Sequence, residues 1–306
     1  MEQLTFKAMG CEMLAALASQ DERGARLLRQ VPRWFDTWED SLSRFRPESE
    51  LSRLNRQSGR AMRVSHTLWR VVQAALRSAR ESDGLVVPTT LPALEAVGYD
   101  RTFSAVVERG VVTRLEPTAA VAPASAIVAN RRTHSLRLTD GARLDLGGVA
   151  KGWAADTAMR RLAVHAPALV DAGGDVAVSS PPPGLPGWPI GIADPFTPDR
   201  QVALLCLTYR GVATSGRDYR RWQSSGGQWQ HHIIDPRTGR PAETDVLTAT
   251  VIAPTAREAE AAAKTVLILG SGRGLAWLDA RPALAGLLIR ESGDLIASQR
   301  LQPFIW

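Results

Sequence analysis

The stretch LDLGGVAKGWAADTA, residues 144–158, leads from a predicted strand through a glycine pair into a predicted helix. We expect the strand to end at Leu144-Asp145 and the helix to start after Gly147-Gly148. The N–H groups at such a helix start suit a phosphate or another anion, and Lys151 would add a positive charge there. The same pattern is also typical of an ordinary strand-to-helix connection.

On both sides of this stretch, strands and helices alternate irregularly, without a regular βαβ rhythm. Met9-Gly10-Cys11 is expected to join two strands, and Ser49 to cap a short helix. Asp140-Gly141 is the expected turn of a hairpin. Longer helices are expected over about residues 22–42, 67–82, 149–165 and 256–269, and strands within residues 168–180, 202–214, 229–235, 246–254 and 285–298. This order predicts an α+β fold with a largely antiparallel sheet.

Composition narrows the class of protein. The chain has 306 residues, of which 44% are hydrophobic and 22% charged, as in ordinary globular proteins. No apolar run approaches the roughly 20 residues of a membrane span. The first residues lack the charge-then-apolar plan of a signal peptide, so a cytoplasmic location is expected. Cys11 and Cys206 are too few and too far apart for a zinc site or a disulfide framework.

The net charge of +6 and the pI of about 10.0 raise the question of nucleic-acid binding. The arginines are scattered, however, which is typical of a solvated surface and predicts no nucleic-acid partner. Only three of the 37 basic residues are lysines, at positions 7, 151 and 264. The sequence also lacks the P-loop, dinucleotide-binding, zinc-protease and serine-hydrolase motifs.

Three further segments could carry chemistry, and each has a plain structural interpretation. The glycine pair in LVDAGGDVAVS (residues 169–179) is either a turn or a close approach to a flat ligand. In HHIIDPRTGRP (residues 231–241), His232 beside an Asp-Pro turn is usually structural. Glu260 and Lys264, four residues apart on a predicted helix, form in isolation a surface ion pair worth about 0.3–0.5 kcal/mol.

Taken together, the ordered segments resemble the FAD:protein FMN transferases, the ApbE-like flavin transferases. The segments are MGC (from residue 9), DSLSRFRPESELSRLN (from 40), DLGGVAKGWAAD (from 145), VDAGGD (from 170), VATSG (from 212), HHIIDPRTGRP (from 231) and AEAAAKTVLILG (from 259). The resemblance implies a T-fold-like, two-lobed architecture in which a single domain, residues 1–306, binds FAD in a cleft between intertwined lobes. It also implies Mg²⁺ on the diphosphate. A serine or threonine hydroxyl on an acceptor protein with an exposed Ser/Thr motif would attack the FMN phosphorus, releasing AMP.

The resemblance also assigns residues by position. It implies catalytic roles for His232, Glu260 and Lys264, and metal contacts from the backbone of Gly148 and from Glu260. The expected cofactor-binding residues are Met9, Phe45, Val86, Val87, Asp145, Lys151, Gly173, Gly174 and Ile233, with Ile234 as an alternative to Ile233.

The chain departs from the family pattern in two places. Val87 stands where the family has an aspartate, so one polar contact to the cofactor is missing. Glu260 and Lys264 stand where the family has an aspartate and a threonine as magnesium ligands. A protonated lysine cannot bind a metal. Either Lys264 takes the place of the metal at the diphosphate, or the chain is a non-catalytic FAD-binding or carrier protein that has lost the metal site.

Overall fold

The structure, a computed structural model, describes residues 1–57, 59–112, 119–139, 141–197 and 199–306. The chain forms two compact units, each assembled from segments that are separated in sequence. Unit one comprises Met1–Asp36, Lys151–Gly216 and Thr244–Trp306, and unit two comprises Thr37–Ala150 and Arg217–Glu243.

The described residues form seven α-helices: α1 (Glu22–Leu42), α2 (Glu50–Arg56), α3 (His66–Glu81), α4 (Leu91–Ala96), α5 (Phe103–Arg109), α6 (Ala150–Ala163) and α7 (Ala256–Asp279). Their strands are β1 (Glu2–Ala8), β2 (Cys11–Leu17), β3 (Met62–Arg63), β4 (Ile127–Asn130), β5 (Ser135–Leu138), β6 (Ala168–Ala172), β7 (Asp175–Val178), β8 (Trp188–Ala193), β9 (Gln201–Leu207), β10 (Arg210–Gly216), β11 (Arg221–Gln223), β12 (Trp229–His231), β13 (Ile234–Asp235), β14 (Arg240–Pro241), β15 (Val246–Ala253), β16 (Ala285–Arg290) and β17 (Leu295–Ala297).

Unit one is built on an eight-stranded sheet in the order β1-β2-β6-β7-β10-β15-β16-β17, with every neighbouring pair antiparallel. Alternate side chains of a strand point to opposite faces, so Val212 and Ile252 pack against the β8–β9 pair. Helix α7 packs against β10 and β15. The predicted α+β fold with a largely antiparallel sheet is therefore confirmed.

Unit two contains the three-stranded sheet β3-β5-β4, the two short pairs β11–β12 and β13–β14, and helices α2 to α5. Its apolar core includes Tyr99, Trp222 and Ile234. The indole N–H of Trp222 donates to the carbonyl of Val97, which satisfies the polar atom of this buried side chain.

The predicted local elements near the N-terminal half are confirmed. Helix α1 covers the expected residues and buries Leu28, Val31 and Phe35, which recur at helical spacing. The side chain of Ser49 accepts from the N–H of Ser52 and caps α2 as expected.

Two expectations for residues 126–148 are wrong. The turn between β4 and β5 lies at residues 131–134, where the side chain of Asn130 accepts the N–H groups of Arg132 and Thr133. The expected turn residue Asp140 lies outside the described residues. Residues 142–146 form no strand, because the amide side chain of Asn55 takes both backbone hydrogen bonds of Leu144.

Two other element boundaries also differ. The single strand expected over residues 229–235 is divided into β12 and β13, since the N–H of Ile233 donates to the side chain of His231. Helix α7 breaks at Gly270 (φ 78°), near its expected end, but a second helical segment continues to Asp279. Asp245 accepts the N–H of Ser271 at 2.9 Å and restarts the helix.

No helix formed by the described residues is both long enough and apolar enough to cross a membrane.

Candidate active site

A buried charged site in unit one brings together residues from three of the segments that carry the family resemblance. Lys151 from α6 forms an ion pair with Asp175 from β7, and Lys264 from α7 donates to Glu260 Oε1 at 3.1 Å. The Nζ of Lys151 also lies 3.7 Å from Glu260 Oε1. We call these four residues the lysine–carboxylate cluster. Glu260 is completely buried and Asp175 is 2% exposed, so the expected surface ion pair of Glu260 and Lys264 is in fact a buried one.

Close packing between α6 and α7 fixes the cluster. A Cβ at Gly152 would lie 2.7 Å from the carbonyl oxygen of Ala256, so only glycine fits where the two helices meet. The Gly152 N–H donates to Glu260 Oε2 at 3.0 Å. Asp156, one turn further along α6, accepts the N–H groups of Ala256 and Arg257 and caps α7.

The charges of the cluster stabilise one another against the cost of burial. Burial alone lowers the pKa of Lys151, but Asp175 and Glu260 outweigh it and hold the pKa above its ordinary value. Burial opposes ionisation of Glu260, yet Lys264, Lys151 and the Gly152 N–H lower its pKa. Burial and the neighbouring Glu260 raise the pKa of Asp175. Lys151 is therefore a cation at neutral pH, and Glu260 is an anion.

The cluster does not fit a divalent cation at Glu260. One carboxylate oxygen is bonded to Lys264 and lies near Lys151, and the other accepts the N–H of Gly152. Mg²⁺ requires oxygen ligands at about 2.0–2.1 Å, and two ammonium groups this close would repel it. Among the described residues, no three His, Cys, Asp or Glu side chains gather as metal ligands. The expected metal contact from Glu260 thus lacks support in the geometry, and that from Gly148, in unit two, stays a prediction.

The glycine pair beside the cluster forms a hairpin turn between β6 and β7. Gly173 and Gly174 have φ values of 67° and 91°, and Asp171 accepts the N–H of Gly174 at 2.7 Å. A Cβ on Gly173 would lie 2.6 Å from that of Cys11, which follows the β1–β2 turn. The turn interpretation of this pair is confirmed, while its contact with a flat ligand stays a prediction.

Met9 lies in the β1–β2 turn, where both central residues have positive φ: 48° at Met9 and 71° at Gly10. The expected joint of the two strands is therefore confirmed. The Met9 side chain is half-buried, and its predicted flavin contact remains a prediction.

In unit two, Asp145 forms an ion pair with Arg44. The Arg44 Nε donates to Asp145 at 2.5 Å, and its terminal nitrogen donates to the carbonyl of Tyr99 at 2.8 Å. The guanidinium lies over the rings of Phe45 and Tyr99, at 4.1 and 4.7 Å from their centroids. Phe45 keeps 36% of its surface exposed, so this group offers an aromatic face beside a fixed arginine.

The segment of Val86 and Val87 lies next to Asp145, because the Asp145 N–H donates to the carbonyl of Pro88 at 2.8 Å. Val87 also lines a cavity of ≈ 340 Å³ within unit two, whose wall carries Arg80 and Arg237. The structure therefore brings four predicted cofactor residues of unit two, Phe45, Val86, Val87 and Asp145, close to one another through Arg44 and Pro88.

The Gly147-Gly148 pair is held at its first residue by Asp145. The side chain of Asp145 accepts the N–H of Gly147 at 2.8 Å, and α6 begins three residues later, at Ala150. Lys151 occupies the first turn of α6, as predicted. Its charge is paired with Asp175, an acidic residue that the sequence analysis did not single out.

The two adjacent histidines of unit two occupy different environments. His231 is buried, its Nε2 donates to the carbonyl of Ala242 at 3.0 Å, and burial lowers its pKa to about 4. It is therefore neutral and structural. His232 is half-buried in the bend between β12 and β13. Ile233 and Ile234 are both buried, and Ile234 belongs to the core of unit two; the ligand contact of either residue stays a prediction.

Sequence reasoning missed Arg44, Tyr99 and Asp175. Arg44 and Asp175 stand inside segments that carry the family resemblance, next to Phe45 and Gly174, so their signal was present. The sequence carries no signal for Tyr99, because this residue reaches the site only through the hydrogen bond that its carbonyl accepts from Arg44 in the folded chain.

Two known proteins are similar to this chain over most of its length. The chain is 34% identical over 267 residues to a FAD:protein FMN transferase of Treponema pallidum, covering 81% of this chain and 72% of the relative. It is 30% identical over 306 residues to one of Klebsiella pneumoniae, covering 96% and 91% of the two chains.

Solved structures establish the same fold. An ApbE protein of Thermotoga maritima superposes with a TM-score of 0.87 at 24% identity, covering 99% of this chain and 98% of the other. The apo flavinyl transferase ApbE of Pseudomonas stutzeri gives 0.80 at 22% identity, with 99% and 96% covered. The sequence profile of the ApbE family matches residues 9–288. The chain therefore belongs to the ApbE family.

Proposed function

We propose that this chain transfers FMN from FAD to a serine or threonine hydroxyl of an acceptor protein. The observation that carries the proposal is the lysine–carboxylate cluster, which holds two cations on buried anions inside a chain of the ApbE family. Phosphoryl-type transfer depends mainly on positioning and on positive charge near the diphosphate, and fixed lysines supply both.

In the proposed step, the acceptor hydroxyl oxygen forms a bond to the FMN phosphorus of FAD. The bond between that phosphorus and the bridging oxygen breaks, and AMP leaves with the oxygen. The hydroxyl proton passes to a base, and we assign this role to His232, which is half-buried in a bend. Lys151 and Lys264 stabilise the negative charge on the phosphate oxygens.

The remaining predicted residues serve to hold FAD. In unit two, the ring of Phe45 with the stacked Arg44 offers a surface for a flat heterocycle, and Val86, Val87, Asp145 and Ile233 lie in the same unit. In unit one, Met9, Gly173 and Gly174 are the proposed flavin neighbours, each in a tight turn. A tight turn offers a ligand exposed backbone with little side-chain bulk at the glycines.

The test incubates the purified chain with FAD and an acceptor domain that presents an exposed serine or threonine. Covalent flavin is followed by in-gel fluorescence, and AMP by chromatography. We expect fluorescence on the acceptor and AMP in equal amount, and no label on an acceptor whose hydroxyl residue is replaced by alanine. Tight FAD binding with neither product would favour the alternative function, a non-catalytic FAD carrier.

The identity of the acceptor motif and the cytoplasmic location belong to the same proposal. Expression of the chain with a candidate acceptor, followed by cell fractionation and flavin fluorescence, tests both. Labelled acceptor and this chain in the soluble cytoplasmic fraction are the expected result.

A further inference from the structure

Any site that transfers a phosphoryl group from a diphosphate must balance the charge of the phosphate oxygens. Proteins do so with a divalent cation, with lysine and arginine side chains, or with both. In the lysine–carboxylate cluster, the two ammonium groups carry the same total charge as one divalent cation, and they lie on the carboxylate that a metal would need.

The two lysines are held in place and remain reachable. Lys151 keeps 14% of its side chain exposed and Lys264 keeps 16%, while their carboxylate partners are buried. An ammonium group has three N–H donors. Among the described contacts, Lys264 uses one of them, on Glu260, which leaves donors for the oxygens of a ligand.

Displacement of either lysine by a metal would be costly. Removing Lys264 from Glu260 would break a buried ion pair, and a dication would still meet Lys151, 3.7 Å from the same oxygen. Lys151 in turn is fixed by Asp175, so it cannot be moved away without leaving that buried carboxylate without its partner.

We propose that Lys264, together with Lys151, replaces the divalent cation at the diphosphate of FAD, so that this chain binds and uses FAD without a metal. The inference rests on the proposed function, because it takes FAD as the ligand of the cluster. It concerns the binding step as well as the transfer, and it can therefore be measured without an acceptor.

The experiment measures the dissociation constant of FAD by quenching of flavin fluorescence, in EDTA and in Mg²⁺. The proteins are the unmodified chain, Lys264→Thr, Lys264→Arg and, as a matched control, Lys7→Thr, which replaces the exposed lysine of β1. Thermal unfolding verifies that each variant folds. Binding of Mn²⁺, followed by electron paramagnetic resonance, reports directly on a metal at the site.

We expect the unmodified chain to bind FAD equally well in EDTA and in Mg²⁺ and to bind no Mn²⁺ at Glu260. Loss of one charge-assisted hydrogen bond should weaken FAD binding by Lys264→Thr roughly tenfold or more in EDTA. In this variant Lys151 still lies 3.7 Å from Glu260 Oε1 and opposes a dication, so Mg²⁺ should restore only a small part of its affinity. Lys264→Arg should retain most of the affinity, and Lys7→Thr all of it.

Loss of FAD binding by the unmodified chain in EDTA, with recovery in Mg²⁺, would overturn the inference and leave the proposed function intact. Metal-independent binding that Lys264→Thr does not weaken would also overturn it. Metal-independent binding that depends on Lys264, without any transfer to an acceptor, would support the inference and contradict the proposed function. The comparison in EDTA uses the unmodified chain and holds even if a variant fails to fold.

Discussion

Lys264 donates to Glu260 one turn earlier on α7, and this carboxylate is completely excluded from solvent. A solvent-exposed pair at this spacing is worth about 0.3–0.5 kcal/mol, whereas removing one partner of a buried pair costs about 3–5 kcal/mol. Removal of either partner should therefore destabilise unit one, because the other charge would be left buried without its partner.

Replacement of this buried carboxylate should destabilise the chain strongly. We expect Glu260→Gln to lower the unfolding free energy by about 3 kcal/mol, because two ammonium groups lose a common anion. Glu258→Gln is the matched control on the same helix, since Glu258 is 30% exposed and pairs with Arg257. Urea unfolding followed by tryptophan fluorescence measures both. Equal shifts for the two variants would contradict the account.

The glycine pair of the β6–β7 turn offers a test of local strain. Gly173→Ala should cost more than Gly174→Ala, although both residues have positive φ, because only the Cβ at position 173 meets Cys11, at 2.6 Å. The shared backbone effect is about 1 kcal/mol, and the clash adds to it. Denaturant midpoints should separate the two variants. A larger loss for Gly174→Ala would argue against the described turn.

The two aspartates that cap the halves of α7 should respond to pH in opposite directions. Burial raises the pKa of Asp156 to about 6, so its folded form retains a proton that the unfolded chain has already lost. This contribution to stability is complete below pH 3.8 and disappears as the pH rises through 6, a change of roughly 3 kcal/mol.

Asp245 behaves in the reverse manner, because hydrogen bonds from Ser271 lower its pKa. Its contribution is complete above pH 3.8 and is lost as the pH falls through the folded pKa. Urea unfolding between about pH 2.5 and 7 should therefore show the unmodified chain losing stability relative to Asp156→Asn as the pH rises. The same comparison for Asp245→Asn should show a gain in stability as the pH rises at the acidic end of this range. Parallel slopes would contradict the assignment.

The neighbouring histidines should separate stability from activity. His232→Asn should reduce the rate of AMP release about 10²- to 10⁴-fold without shifting the unfolding midpoint, as expected for loss of a general base. His231→Asn should lower stability by about 1–3 kcal/mol through its buried hydrogen bond to Ala242. The rate of AMP release and the urea-unfolding midpoint, measured for both variants, separate the two roles. A stability loss at position 232 with unchanged rate would assign that histidine a structural role.

Much of the fold was predictable because its signals are local. The apolar spacing of α1, the Ser49 cap and the Met9-Gly10 turn depend on neighbours in the chain. The predicted strand at Leu144 is wrong because a side chain replaces the backbone partner of a strand. Asn55 hydrogen-bonds to Leu144 from 89 residues away, and the hydrophobic periodicity of the sequence does not reveal such a contact.

For the candidate site, the sequence predicts which residues take part better than it predicts their burial and their ion-pair partners. The sequence places Glu260 and Lys264 on one helix face, but their burial depends on close packing of α6 at Gly152. In the same way, the partner of Lys151 is Asp175, 24 residues away in the next segment. Ordered motifs therefore identified the candidate residues, and only the fold showed which charges neutralise one another.

The most direct test of the account is the intact mass of an acceptor domain after incubation with the unmodified chain and FAD in EDTA. We predict a gain equal to FMN minus water at one serine or threonine, with one AMP released per acceptor. An acceptor of unchanged mass in EDTA that becomes labelled when Mg²⁺ is added would contradict the role given to Lys151 and Lys264. An unchanged acceptor under both conditions, with FAD bound and intact, would contradict the transfer itself.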